Sequence, residues 1–378
     1  MSNGIPRWSY CMKIAHVVDS MEVGGAETLV EQMCRLQREQ GHDPQVYAIA
    51  RLGALGTRMQ SEGFHVEAEI GRHLVDSSLH FLRLFRAFRP DVVHLHNPTP
   101  TIYAAPAARL SGASSIVSTR HSLVAPPRDL VMERKYAIAA KFCDWIVGIC
   151  DATVQNVKEA GSAPEGKIVR VYNGTRPVSR PPKNEYPEKK GFTLLYVGRL
   201  EPVKNLPFLL SAFHSAVQQS AGIQLWIVGD GTERSRLEEH VRELGLKSNV
   251  TFWGQQLEVA RFFAAADAFV LSSVSEGLPM SLLQAFSIGL PAIVTDVGGM
   301  SEVVRLADAG IVVPSGDSEK MAAAILAIAT NSGERTQFAS NAAAAFQSHF
   351  TLPAMVDAYT NLYCNTRRAK RAELCSRC

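Results

Sequence analysis

The sequence contains no apolar run approaching the roughly 20 residues that a membrane-spanning helix needs. Its opening stretch, MSNGIPRWSYCMK, lacks the apolar centre of a signal peptide, so a cytosolic catalytic region is expected. Cysteine is sparse and odd in number: seven scattered residues suit reduced thiols rather than a disulfide framework. Cys375 and Cys378 form a lone CxxC, but structural zinc takes four ligands and no second pair accompanies them. An exposed tail is expected there. The net charge of +3 is too small to argue for nucleic acid, and no basic stretch is interleaved with aromatics. Neither early strand runs into a complete G-x-G-x-x-G, which disfavours a nicotinamide oxidoreductase. Repeats of solenoid length are absent.

What is present is alternation. At 378 residues the chain is too long for one ordinary core, and strand–helix alternation throughout predicts parallel sheets. Strands are expected at residues 13–18, 45–50, 92–95, 115–119, 145–149 and 168–171. Helices are expected at 26–39 and 79–88, the second closed by Pro90. Residues 178–191, rich in Pro and Lys, read as a linker. The alternation then restarts, with strands at 193–197, 224–228, 250–252, 268–271, 292–295 and 311–313. The expected fold class is α/β, two doubly wound Rossmann-like domains facing across a cleft. The domains are placed at 11–177 and 192–350, with a C-terminal helix and basic tail at 351–378.

The most informative segment is Ser272–Asp296, SSVSEGLPMSLLQAFSIGLPAIVTD. A buried strand ends at Ser272 and Ser273, and a loop follows with Glu276, Gly277 and Leu278. Pro279 suits the first turn of a helix, where its missing N–H costs nothing. A carboxylate, a flexible glycine, the Ser281 hydroxyl and backbone N–H groups therefore collect at one helix N-terminus, a ready anion site. Gln284 lies one turn further on.

Other strand ends carry similar chemistry. Gly198-Arg199-Leu200-Glu201-Pro202-Val203-Lys204 follows the first strand of the second half, so Arg199 and Lys204 could converge on a diphosphate. Two solvated surface cations are the plainer alternative. Gly24 and Gly25 allow close approach of backbone N–H groups to a phosphate, or simply make a tight turn. His121 lies two residues past a strand, as a structural or a functional histidine. His94 and His96 alternate on one strand and share a face, with no third metal ligand evident, and Asn97 ends that strand at the cleft. Asn173-Gly174 is a turn and hinge signal. Gly229-Asp230-Gly231 is a fragment of a dinucleotide fingerprint, Trp253 follows a later strand, and Gly298-Gly299 offers a backbone nest. Residues 79–89 place Arg83, Arg86 and Arg89 among apolar residues at helical spacing, as a surface helix or as a basic face on anionic lipid.

These motifs, in this order, resemble the family-four retaining glycosyltransferases of the GT-B fold (group 1, E-x7-E type). Glu276 and Gln284 fall on the two acids of the signature, and Arg199 and Lys204 on the two cations of G-R-x-x-x-x-K. The resemblance implies transfer of a sugar from a nucleotide-diphosphate donor, with retention, to a saccharide or lipid-linked acceptor in envelope polysaccharide or glycolipid synthesis. It makes Arg199, Lys204, Glu276 and His121 the catalytic set, His121 through a sugar contact. Gly24, Gly25, Gly229, Gly231, Trp253, Gly277, Leu278, Ser281 and Gln284 become donor-binding, with Asn97, Asn173 and Gly174 as cleft and hinge elements. It also implies that the terminal helix crosses back onto the first domain. With no Asp-x-Asp, no metal or other cofactor is expected. The expected location is the cytoplasm, with the inner membrane face as a variant of it. Gln284 departs from the family acid and is expected to weaken donor affinity, because it accepts no charge-assisted bidentate hydrogen bond. The rival readings are a nucleotide-sugar epimerase of the same fold and a non-catalytic nucleotide-sugar binder.

Overall fold

The computed structural model describes residues 11–70, 74–123, 130–256 and 258–376, with side chains to residue 366. The chain divides into two compact units, residues 1–174 with 352–378, and residues 175–351. The first holds seven parallel strands: β1 (Lys13–Val18), β2 (Asp43–Ala48), β3 (Val66–Glu67), β4 (Val92–His96), β5 (Ser115–Arg120), β6 (Trp145–Gly148) and β7 (Ile168–Arg170). Their order is β3-β2-β1-β4-β5-β6-β7. The second holds six: β8 (Phe192–Val197), β9 (Ile223–Val228), β10 (Val250–Gly254), β11 (Ala268–Leu271), β12 (Ala292–Thr295) and β13 (Gly310–Val313), ordered β10-β9-β8-β11-β12-β13. Both are doubly wound Rossmann-like sheets. In such sheets ligands gather at the carboxyl ends of the strands where the order reverses, between β1 and β4 and between β8 and β11.

Period two along the strands decides what each face meets. In the first unit Ala15, Val17, Val93, Leu95, Ile116 and Ile146 join one core with Phe81, Phe85 and Phe88 of the helix Leu74–Phe88. Burying each of these phenylalanines contributes about 1.5–3 kcal/mol. The opposite face is apolar at its β2 side, where Val18, Val46 and Ala48 cluster with Val30 and Cys34, and carries polar groups at its centre: His16 pairs in register with His94, and His96 with Thr119. It is covered by the helices Gly25–Glu39 and Leu352–Ser376. The latter belongs to the first unit, bonding through Tyr359 to Thr119 (3.0 Å), Tyr363 to His94 (2.8 Å) and Thr366 to Trp145 (2.8 Å).

Several expectations shift. Residues 178–191 are not a bare tether: Val178 donates its N–H to Ser287 Oγ (3.0 Å) and Arg180 reaches the Ile288 carbonyl (2.8 Å), both within the second unit. A helix at Pro98–Leu110 has no counterpart in the sequence reading, because its three prolines mask it. Pro98 and Pro100 sit in the first turn, where no intrahelical N–H bond is due, and Pro106 forgoes one bond inside. Arg89 lies beyond the helix Leu74–Phe88 with φ of 53°, so the expected stripe of three arginines keeps only Arg83 and Arg86 on the helix. The thiols of Cys375 and Cys378 lie outside the described residues. Among the described residues no helix is long and apolar enough to cross a membrane.

Candidate active site

In the second unit the loops after β8, β9, β11 and β12 are sewn together at the order reversal. Tyr196 donates its hydroxyl to the Arg199 carbonyl (2.9 Å), and Leu200 N–H to the Asp230 carbonyl (2.9 Å). Ser272 Oγ holds the Lys204 carbonyl (2.8 Å), and Val274 N–H the Val203 carbonyl (2.9 Å). Gly229 has φ of +136°, and a Cβ there would meet the Gly198 carbonyl oxygen at 1.9 Å. A glycine is required at 229 so that the Arg199 loop can lie on it.

Within this frame Lys204 and Glu276 form an ion pair, each side chain 15% exposed, and Ser273 Oγ donates to the same Glu276 oxygen at 3.1 Å. The carboxylate thus points at the cation of the neighbouring loop. Arg199 is exposed, and among the described residues no carboxylate pairs with it. The helix Met280–Ser287 begins after Pro279 with no side-chain cap, leaving its first N–H groups for a ligand or water. Ser281 and Gln284, three apart, share one half-buried side of it, while Leu278 is buried beneath.

One expectation is corrected here. Gly298-Gly299 is not an open nest: Gly299 N–H is spent on the Gly277 carbonyl (2.7 Å). Gly298, at φ +53°, lets the Glu276 carbonyl approach where a Cβ would lie at 1.8 Å. The pair shapes the Glu276 loop. The half-buried indole of Trp253 lies edge-on to Trp226 (5.9 Å) and Phe262 (5.1 Å). Its carbonyl accepts from Gln256 at 2.7 Å.

In the first unit the Gly24-Gly25 loop follows β1. Gly24 is extended (φ −154°) and needs no left-handed backbone; a Cβ there would meet Glu27 Oε2 at 2.3 Å. A second carboxylate, Asp19, went unremarked in the sequence. Burial pushes it up to about 6, the hydrogen bond with Thr99 opposes, and the Glu27 charge adds to the rise. The carboxylates of Asp19 and Glu27 beside this loop repel a phosphate and accept hydroxyl hydrogen bonds, which favours the tight-turn alternative over the expected phosphate cradle.

Asn97 ends β4 with φ of 77°, and its Oδ1 accepts the His121 N–H at 3.1 Å, fixing the loop after β5. His121 Nε2 lies 3.0 Å from His96 Nδ1. A third histidine does accompany His94 and His96: one ring nitrogen from each of His16, His94 and His96 lies within 4.8 Å of the other two. The nitrogens are already engaged, however, with Gln37, Thr119, Tyr363, His121 and each other. Burial holds His16 and His121 down at about 4, and His94 and His96 well below the usual range. The cluster is neutral and hydrogen-bonded. His16 and Gln37 could not be found by pattern, because strand register places the first and the packing of the helix Gly25–Glu39 on the sheet places the second; Asp19 carried the signal of an acid at a strand end. Asn173 is buried, and Gly174 N–H meets Met355 Sδ at 3.2 Å within the first unit.

Comparison with known proteins places the chain in a family. Residues 23–177 match the Glycosyltransferase Family 4 model, and residues 180–345 match Glycosyl transferases group 1. The lipopolysaccharide core biosynthesis glycosyltransferase LpsE of Rhizobium meliloti is 29% identical over 58% of this chain and 64% of its own length. LpsD of the same organism is 28% identical over 58% and 63%, so the chain spans less than two thirds of either relative. The phosphatidyl-myo-inositol mannosyltransferase of Mycobacterium leprae is 27% identical over 75% of this chain and 73% of its own. Anabaena Alr3699/HepE, crystallised with UDP, superposes with a TM-score of 0.81 over 94% of this chain and 100% of its own, at 20% identity. With the two models running almost without a break from residue 23 to 345, and this fold shared over nearly its whole length, the chain belongs to the group 1 glycosyltransferases of the GT-B fold.

Proposed function

We propose that this protein transfers a glycosyl group, with retention, from a nucleoside diphosphate sugar to a hydroxyl of a saccharide or lipid-linked acceptor. The setting is envelope polysaccharide or glycolipid assembly, in keeping with the names of the curated relatives. The observation that carries the reading is the Lys204–Glu276 pair beside an exposed Arg199, set at the order reversal of the second sheet. Leaving-group charge develops on a diphosphate, and preorganised cations stabilise it most when their supporting groups are already in place. Arg199, Lys204 and the first N–H groups of the helix Met280–Ser287 supply that field without a metal. Ser281 and Gln284 take ribose and phosphate oxygens. UDP is the first candidate nucleotide, since a structural relative was crystallised with UDP-glucose. On the first unit, His121 takes a sugar hydroxyl, and Asp19 with Glu27 an acceptor hydroxyl.

Calorimetry with UDP, GDP and ADP, without added metal, tests this. The expected result is binding of one nucleotide, lost with Arg199→Ala. If no nucleotide binds, the reading fails and Gln284 marks a chain that has lost its donor. Product formed from the sugar nucleotide without any acceptor would replace transfer by epimerisation.

Peripheral contact with the inner membrane face forms part of the proposal. The helix Leu74–Phe88 exposes Leu74, Val75 and Leu79 beside Arg83 and Arg86. The helix Leu130–Ala140 exposes Leu130, Val131 and Ile138 beside Arg134 and Lys135. Apolar area edged with basic residues suits anionic lipid. Flotation with phosphatidylglycerol vesicles, lost in the Arg83/Arg86/Arg89 triple alanine variant, is expected. Equal flotation with neutral vesicles would refute the electrostatic part.

A further inference from the structure

Gln37 is fully buried in the helix Gly25–Glu39, and its amide oxygen lies 2.8 Å from His16 Nε2. Among the described residues its amide nitrogen has no partner, so this single bond is what the side chain does. A buried amide with half its capacity unused is costly, and an apolar residue would pack there more cheaply. From His16 the contacts continue in one line. His16 Nδ1 lies 3.0 Å from His96 Nε2, and His96 Nδ1 lies 3.0 Å from His121 Nε2. His121 is half-buried at the carboxyl end of β5, and its own Nδ1 makes no bond among the described residues. The line therefore begins at a buried glutamine and ends at an open ring nitrogen.

A neutral imidazole has one donor and one acceptor nitrogen, so in such a line the choice at one ring dictates the choice at the next. The Gln37 oxygen only accepts. His16 must then carry its proton on Nε2 and offer a lone pair at Nδ1. His96 must donate from Nε2, and His121 likewise. Resting on the transfer reading above, we propose that Gln37, His16 and His96 are positioning residues that lock His121 in its Nε2–H tautomer. The Nδ1 lone pair of His121 then accepts a hydrogen bond from a hydroxyl of a bound sugar. Neutrality is part of the device, because an imidazolium has two donors and would break the line at one side or the other. The burial that holds these rings uncharged thus serves the lock. His94 buttresses it from the side. Its ring stacks on His96 with centroids 4.1 Å apart, and it is held by Tyr363 and Thr119. A tautomer-locked histidine discriminates: it favours a hydroxyl that donates and rejects a sugar whose group at that position only accepts.

The test is nitrogen-15 NMR on the full protein with labelled histidines at pH 7, with His121 assigned by its absence in His121→Gln. Two-bond proton–nitrogen spectra should show His16, His96 and His121 all as Nε2–H. In the unsubstituted protein, nitrogen–nitrogen couplings across the hydrogen bonds should join His16 to His96 and His96 to His121. In Gln37→Met, similar in volume, His121 should appear in both tautomers although residue 37 is two rings away. The Michaelis constant for the sugar nucleotide should rise several-fold, with the affinity for the bare nucleotide unchanged. A His121 carrying its proton on Nδ1, missing couplings, or a tautomer indifferent to Gln37→Met would each overturn the proposal. So would zinc that shifts the His16 and His96 signals at equimolar addition. If the line is seen but no sugar nucleotide binds, the lock stands and the transfer reading alone falls.

Discussion

Lys204 and Glu276, 72 residues apart in sequence, meet as an ion pair where the loops after β8 and β11 adjoin. The two substitutions should not be equivalent. Glu276→Ala frees the Lys204 ammonium to rest on the phosphates, so nucleotide affinity should hold or rise while turnover falls by about 10²–10³. Lys204→Ala should lower both. Calorimetry beside steady-state kinetics separates these outcomes, and equal losses of affinity in the two variants would refute the assignment.

Gln284 occupies the position where the family signature has its second acid. Gln284→Glu restores a charge-assisted acceptor on the half-buried side shared with Ser281, and should tighten nucleotide binding about tenfold, or about 1.4 kcal/mol. Titration of both forms with UDP checks this. Unchanged or weaker binding by the glutamate form would refute the idea that Gln284 weakens the donor site.

Asp19 should leave a signature in stability against pH. Its carboxyl stands at about 6 in the folded chain, above its ordinary 3.8. Between about pH 4 and 6 the folded state therefore binds more protons than the unfolded one, and stability falls as pH rises through that window. Asp19→Asn removes the fall. With allowance for solvent screening of a half-exposed group, the variant should be more stable by about 1 kcal/mol at pH 7.5, and equal to the parent below pH 4. Urea unfolding at both values measures it. An advantage of the same size at pH 3.5 would point to packing instead of charge.

Tyr363 bonds His94 Nδ1 at 2.8 Å and ties the C-terminal helix to the histidine-bearing face of the first sheet. Tyr363→Phe leaves a buried imidazole nitrogen unpaired and should cost about 1–3 kcal/mol of unfolding free energy. Chemical denaturation checks it. No measurable loss would show that this bond does not hold the helix.

Much of the fold was legible because it is written locally. Period two in runs such as Val92–His96, helix starts at Gly25 and Met280, and glycines at strand ends each act within a few residues. That locality fixed two α/β sheets and the order of the loops bearing Arg199, Lys204, Glu276 and Gln284. It failed where one feature hid another, as the three prolines did in the helix Pro98–Leu110. It also misjudged Gly298-Gly299, whose backbone looked free until the Glu276 loop was found lying on it.

The sequence by itself therefore determined which chemistry is present and at which strand ends it stands. Tertiary structure alone decided which of those groups meet. His16 and His96 are 80 residues apart and touch because β1 and β4 pair in one register; a slip of one residue between the strands would leave the two rings on opposite faces. No pattern along the chain encodes that register, which the burial of both faces of the sheet selects. The same holds for Gln37 behind His16, for Tyr363 behind His94, and for the carboxylate of Glu276 on the ammonium of Lys204.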